Sequence, residues 1–329
     1  MKILVYDVAA SSGGALTILK NVYEYAKNSE FEWLFVLSVA DLRETDNIKV
    51  LKFPEVKQSW RNRLNFDKTQ ALKLIEEYKP DTVLNLQNVA LKCSCEQVLY
   101  LHQPLPFCKH KFRVWQGGGG RYWIYQNVIG RMIKKGLKRA DKIIVQSAWM
   151  KDAVQRCGVA VDKITVMPPN IILPRDALYT DSGENVFFYP ASSTLYKNHE
   201  VIVKACEQLN KNGVTDYTVV FTLNGNESKR ISKLYGVCKN KNLNINWIGT
   251  LDYAEVIGMY EKSVLLFPSY VETFGLPLKE ARTVGAPILA ADMPFSREIL
   301  DGYDKVKYFG YKDHKLLSKL MSDCILKRK

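Results

Sequence analysis

No apolar run in this 329-residue chain approaches the ~20 residues that cross a bilayer, so a helical membrane span is not expected. The opening MKILVYDVAASSGG has one lysine and a short apolar run, which reads as a strand and not as a signal peptide. The seven cysteines (Cys93, Cys95, Cys108, Cys157, Cys206, Cys238 and Cys324) are scattered, odd in number and free of any C-x-x-C pair. Neither a disulfide framework nor a zinc site follows from that spacing, and reduced thiols in a cytosol are the simplest account. The dinucleotide fingerprint G-x-G-x-x-G is missing, which argues against a nicotinamide dehydrogenase. Acids are scarce in one place: from Phe107 to Lys142 there is only Asp141, against ten Lys and Arg.

What is present describes a globular protein with real cores. Hydrophobic residues make up 47% of a chain long enough for two ordinary domains. The net charge is +13, mostly in the first half, so an anionic partner is expected there. Apolar runs suited to strands (Ile3 to Val8, Phe31 to Ser38, Asp81 to Leu86, Gln97 to Leu101, Lys142 to Gln146) alternate with helical patterns. Such alternation predicts an α/β chain whose parallel sheets carry helices on both faces. Phe66 to Tyr78 reads as one helix, and Arg121 to Arg139 as another. Pro168-Pro169-Asn170 ends the first series, and the stretch to Glu184 is irregular, so the domains are drawn as 1–170 and 171–329. The second half then restarts the same alternation.

The most informative stretch is Val264 to Ala290. An apolar strand ends at Pro268, a polar turn carries Glu272, and Phe274-Gly275-Leu276-Pro277 opens a helix holding Glu280. Proline suits the first helical turn because its missing N–H would be unpaired there. Free amides at a helix start form an anion site, and carboxylates on either side can accept from hydroxyls. Hydroxyls, phosphates and hydroxyls in series describe a nucleotide sugar. The string PSYVETFGLPLKEARTVGAPILA, with seven residues between Glu272 and Glu280, resembles the E-x7-E signature of retaining glycosyltransferases of family 4.

That resemblance covers the second half closely and the first loosely. It implies the GT-B fold, two Rossmann-like domains with parallel sheets facing a central cleft, the last helix in some members packing back on the first domain. It also gives roles to individual residues. Glu280 would accept from the ribose, Glu272 would hold the donor sugar, and Phe274, Gly275 and Leu276 would offer amides. FFYPASSTLYKNHEVIVKA resembles the segment in which an Arg and a Lys five residues apart clamp the donor phosphates. Lys197 matches the Lys, but Ser192 stands where the family has Arg, so Ser192, Ser193, Thr194 or another cation must contribute. Loops at Asn224 and Thr250 would face the nucleotide. In the first half, Gly13 and Gly14 follow the first strand, where open α/β sheets place phosphate loops. His102 follows a strand end at which the family tends to place a histidine beside the donor sugar.

The expected chemistry is transfer of a hexose from a nucleotide-diphosphate sugar to a glycan or lipid-linked glycan, as in bacterial surface polysaccharide synthesis. Retention in the family is drawn as same-face attack, with the leaving phosphate taking the acceptor proton. Glu272, Lys197 and His102 form the expected catalytic set. No D-x-D stands in a metal-binding context, and Lys197 with a helix end can replace a cation, so no metal or other cofactor is expected. Lys109, Lys111 and Arg113 near Trp115, with Arg131, Lys134, Lys135 and Lys138 on one helix face, suit an anionic membrane or acceptor surface better than nucleic acid. The chain would then work in the cytoplasm, peripheral on the inner membrane face. Another GT-B nucleotide-sugar enzyme of the 2-epimerase type, or a non-catalytic basic surface-binding protein, stays open as an alternative.

Overall fold

The structure is a computed structural model and describes residues 1–11, 13–115, 118–180 and 185–326. Ser12, Gly117 and the linker residues Asp181 to Glu184 lie outside the described residues. Two compact units divide the chain, Met1–Phe107 with Trp123–Met167, and Cys108–Tyr122 with Pro168–Lys329. The basic stretch 108–122, read as part of the first half, thus groups with the second unit.

The first unit is built on β1 (Lys2–Asp7), α1 (Gly13–Lys27), β2 (Glu32–Leu37), β3 (Ile48–Lys52), α2 (Trp60–Lys68), α3 (Gln70–Tyr78), β4 (Thr82–Asn85) and β5 (Glu96–Leu101). After α4 (Gly119–Ile124) come a π-helical turn (Tyr125–Ile129), α5 (Gly130–Leu137), β6 (Lys142–Val145), α6 (Ala148–Gln155) and β7 (Ile164–Val166). Seven parallel strands lie in the order β3-β2-β1-β4-β5-β6-β7. Side chains alternate across a strand, and β1 shows the result. Ile3 and Val5 join Leu19 and Phe35 in one core, while Leu4 and Tyr6 join Phe66 and Ile75 in another. A sheet buried on both faces explains why its strands read as unbroken apolar runs.

The single helix expected from Phe66 is two helices. The first begins at Trp60, capped by Ser59, whose hydroxyl accepts from the Asn62 amide at 3.1 Å. Gly13 and Gly14 open α1 instead of forming a turn ahead of it.

The second unit repeats the plan with β8 (Val186–Tyr189), α7 (His199–Lys211), β9 (Thr218–Phe221), α8 (Lys229–Asn240), β10 (Ile245–Trp247), α9 (Tyr253–Tyr260), β11 (Val264–Phe267), α10 (Leu276–Val284), β12 (Ile288–Ala291), α11 (Pro294–Ile299), β13 (Val306–Phe309) and α12 (His314–Leu326). Its six parallel strands run β10-β9-β8-β11-β12-β13. All four residues of β11 are fully buried at the centre of this sheet. Helix α12 lies against α7 within the same unit.

Candidate functional site

In parallel sheets the loops at the C-terminal strand ends collect ligands, and the chemistry of the second unit gathers there. The loop after β8 runs through a short 3-10 turn to Lys197, just ahead of α7. Lys197 Nζ lies 2.5 Å from Glu272 Oε1, both side chains being mostly buried. The Ser269 hydroxyl donates to the same carboxylate oxygen at 2.6 Å. Buried Tyr189 fixes the lysine's backbone by donating to its carbonyl at 2.6 Å. Asn198 follows in a left-handed conformation that asparagine tolerates, and its amide donates to the Tyr311 carbonyl at 2.7 Å. The cation and the carboxylate that the sequence placed seventy-five residues apart are therefore an ion pair.

Helix α10 supplies the next group. Gly275 precedes it at φ 102°, a backbone that favours glycine, and a Cβ there would come 3.3 Å from Leu278 Cδ1. Among the described residues no side chain caps this helix start; Pro277 has no N–H and the Leu278 amide donates to the Gly275 carbonyl at 3.0 Å, so of the first three residues only Leu276 offers an open amide. Phe274 is buried and Leu276 half-exposed beside them. Glu280 is buried one turn further on, accepting from the Tyr260 hydroxyl at 3.1 Å. Burial raises its pKa above the usual carboxylate range, and the Tyr260 hydrogen bond opposes the shift.

Asn224 and Thr250 stand exposed after β9 and β10. The two loops touch, since a Cβ on Gly249 would lie 2.7 Å from Asn224 Oδ1. A capping box between Asp252 and Glu255 ends the second loop and starts α9. Ser192 is exposed, its hydroxyl 3.0 Å from that of Thr194. Sequence reasoning did not single out Arg230. From the first turn of α8 it donates to the Ser193 carbonyl at 2.7 Å and pairs with Glu200. A guanidinium thus reaches the loop in which Ser192 leaves a cation missing.

The first unit holds a cavity of about 580 Å³, within the ~300–1,000 Å³ usual for small-molecule sites. His102 lines it at the end of β5. Its amide is held by Asn88 Oδ1 at 2.7 Å, and its Nδ1 is buried without a partner among the described residues. Burial lowers its pKa to about 4, so the ring is neutral at physiological pH. Sequence reasoning missed most of the other lining groups, namely Lys57, Trp60, Arg63, Asp67 and Gln87.

Three of them, Arg63, Asp67 and Gln87, are connected. Arg63 binds Asp67 at 3.1 Å and donates to Gln87, which donates to Asp7 at the end of β1. Asp7 also accepts from the Ala10 amide at 3.0 Å, but its second oxygen is buried without a partner among the described residues. Desolvation raises its pKa to about 6. Trp60, exposed at the rim, meets Tyr125 edge-on at 6.2 Å. A Cβ added to Gly14 would meet nothing within 4 Å.

The expected basic surface divides between the units. Arg131, Lys134, Lys135 and Lys138 are exposed on and just after α5 in the first, beside exposed Trp123, Ile124, Val128 and Met132. Regular helical spacing would put Tyr125, Val128, Ile129 and Met132 on one face. With the π-helical turn, Tyr125, Ile129 and Met132 line the cavity, while Val128 stays exposed. Lys109, Lys111 and Arg113 are exposed on the segment that belongs to the second unit. No helix among the described residues is long and apolar enough to cross a membrane. Nor do any three His, Cys, Asp or Glu among them cluster as a metal set would.

Comparison with known proteins gives the arrangement its relatives. Residues 12–173 match the family described as Glycosyltransferase Family 4, and residues 174–327 match Glycosyl transferases group 1. The chain is 24% identical over 172 residues to the O-antigen chain mannosyltransferase RfbU of Salmonella typhimurium. That alignment takes in 51% of this chain and 47% of the relative, about half of each. Among solved structures, sucrose-phosphate synthase from Thermosynechococcus elongatus superposes with a TM-score of 0.77 at 14% identity, over 99% of this chain and 90% of that one. The apo lipopolysaccharide outer core galactosyltransferase WaaB gives 0.69 at 17% identity, over 100% and 91%. Anabaena HepE in complex with UDP gives 0.69 at 15%, over 100% and 91%. At these identities the solved structures speak for the fold.

Proposed function

For a chain that belongs to the GT-B glycosyltransferases, we propose a retaining, metal-independent hexosyltransferase that moves a sugar from a nucleotide diphosphate to a glycan or lipid-linked glycan. The observation that carries this reading is the Lys197–Glu272 ion pair three residues ahead of the uncapped helix start at Gly275. The donor's phosphates would take Lys197 and the backbone amides at Gly275 and Leu276, with Arg230 sharing the charge where Ser192 offers none. Glu272, released from Lys197, would accept from hydroxyls of the transferred sugar. Glu280, set back in the helix, would accept from the ribose. As the glycosidic bond breaks, negative charge grows on the leaving diphosphate, and fixed cations and amides stabilise it most in that state. The leaving phosphate would take the acceptor's proton, so no separate base is required. UDP complexes among proteins of similar fold make UDP the first donor nucleotide to try.

On the first unit, the cavity lined by neutral His102 would receive the end of the acceptor. A surface-polysaccharide acceptor is supported by the relatives that build O-antigen and lipopolysaccharide. Docking on the inner, anionic face of a membrane is supported by Arg131, Lys134, Lys135 and Lys138 beside exposed Trp123, Val128 and Met132.

A thermal-shift screen of nucleotides and nucleotide sugars finds the donor, since a ligand at 100 times its Kd adds ~2.7 kcal/mol. Hydrolysis or transfer from that donor is then measured in Lys197→Ala and Glu272→Ala, with a chelator present. Loss of turnover in both folded variants is expected. Full activity in either would remove the site assignment, and dependence on added divalent ion would remove metal independence.

A further inference from the structure

The second unit contains a cavity of about 500 Å³ whose lining is Lys109, His110, Lys111, Arg113, Tyr311 and Lys312. Four of these six residues are lysine or arginine and none is an acid. The cations come from two stretches some two hundred residues apart, one ahead of α4 and the other the turn between β13 and α12. None of the four forms an ion pair with a described residue. Arg113 stacks instead over Trp115, and Lys312 over Tyr311.

These cations are held in place. The His110 ring packs 4.6 Å from both Phe112 and Tyr270, and its Nδ1 lies 3.2 Å from the Tyr311 hydroxyl. Buried Phe112 stacks in turn on Tyr122. The Tyr311 carbonyl accepts from Asn198. An aromatic cluster therefore anchors both basic stretches, and the lysines and arginine project from a fixed base. Gathering four like charges in one concavity is unfavourable unless an anion enters.

We propose that this cavity is a phosphoryl-anion site, separate from the donor site, that takes a ligand with two or more negative charges. Three ammonium groups and one guanidinium match the oxygens of a diphosphate or polyphosphate, with Arg113 able to bind two oxygens at once. The same chemistry is presented by a free polyphosphate and by a phosphate-bearing lipid headgroup. The proposal does not depend on glycosyl transfer.

The test is calorimetric titration of inorganic tripolyphosphate into the full chain at low salt. It is repeated with Lys109→Glu/Lys312→Glu and with Lys197→Ala, circular dichroism confirming that each is folded. The unaltered chain and Lys197→Ala should bind, and the double charge reversal should bind at least about tenfold more weakly, with a shallower salt dependence. Sedimentation with phosphatidylcholine vesicles, with and without phosphatidylglycerol, separates the sources. Capture that needs phosphatidylglycerol and is lost in the double variant assigns the lipid headgroup, and equal sedimentation of both chains assigns the free anion. The proposal is overturned if tripolyphosphate does not bind the unaltered chain, or if the double variant binds as tightly. Binding that disappears in Lys197→Ala alone also overturns it, because the anion then belongs to the donor site.

Discussion

Asp7 ends β1, accepts from the cavity-lining Gln87 and is 1% exposed, with one carboxylate oxygen buried and unpartnered among the described residues. Replacing it with asparagine keeps the shape and an oxygen to accept from the Ala10 amide, while removing a charge that burial disfavours. Its pKa rises from 3.8 to about 6 on folding. The native state therefore holds this proton more tightly than the unfolded chain, and stability falls as pH rises from about 4 to about 6. At ~1.4 kcal/mol per pKa unit, the ionised carboxylate costs on the order of 3 kcal/mol at pH 7 and above. Asp7→Asn should thus stabilise the first unit by about 2–3 kcal/mol at pH 8, and by almost nothing at pH 4. Pulse proteolysis in urea, with peptides assigned by mass spectrometry, reads this unit separately from the other. An Asp7→Asn chain that is equally stable, or less stable, at both pH values would refute the desolvation argument. A group kept at such a cost belongs to function, so the stabilised variant should also lose turnover.

Arg230→Ala should weaken nucleoside-diphosphate binding about tenfold while leaving nucleoside binding unchanged, measured by calorimetry, because a charge-assisted contact is lost only on the phosphate side. Gly275→Ala should destabilise the second unit by about 1–3 kcal/mol, read from its urea midpoint, since alanine at this positive φ is strained. Glu280, with its raised pKa, should lose its charge as pH falls through a value above the ordinary carboxylate range. Nucleotide affinity should drop over that interval in the unaltered chain and stay flat in Glu280→Gln. Trp60→Ala should raise the acceptor KM several-fold with donor hydrolysis unchanged, as expected for a group on the rim of the first unit's cavity.

The part of the site carried by one continuous segment was legible in the sequence. From Val264 to Ala290 the strand, the turn, Pro277 in the first helical turn and both glutamates follow from local rules, and α10 begins at Leu276, as those rules place it. The first unit's cavity was not legible, because its residues come from the loops after β1, β4 and β5, from α2 and the segment ahead of it, and from the π-helical turn and α5. Ser59-Trp60-Arg61-Asn62-Arg63 has no apolar periodicity to announce α2, and Trp60 is exposed. The π-helical turn adds one residue to a helical circuit, and packing around Tyr125 and Ile129 decides it, not propensity. Asp7 and Gln87 did carry a signal, since Asp7 ends β1 and Gln87 follows β4 at the ligand-collecting end of a parallel sheet. Lys312 carried none, and only the fold brings it to Lys109 and Arg113.

The Lys197–Glu272 pair leads to one more consequence. A free diphosphate can take Lys197 only by separating it from a carboxylate 2.5 Å away, which then faces the phosphates with Ser269 as its remaining partner among the described residues. Two like charges at ~4 Å and an effective dielectric of ~20 repel by up to about 4 kcal/mol, an upper bound for this site. A complete nucleotide sugar avoids the penalty, because its hydroxyls donate to Glu272 while its phosphates accept from Lys197. Charge-assisted hydrogen bonds of this kind contribute ~1.5–3 kcal/mol. The unaltered chain should therefore prefer the nucleotide sugar to the bare diphosphate, which also helps the product leave. Glu272→Gln should reverse the balance, with diphosphate binding about tenfold tighter and nucleotide-sugar binding weaker, each ~1.4 kcal/mol being a factor of ten. Calorimetry with the diphosphate and its sugar conjugate measures both. Equal weakening of the two ligands would mean that Glu272 only positions Lys197 and never meets the sugar.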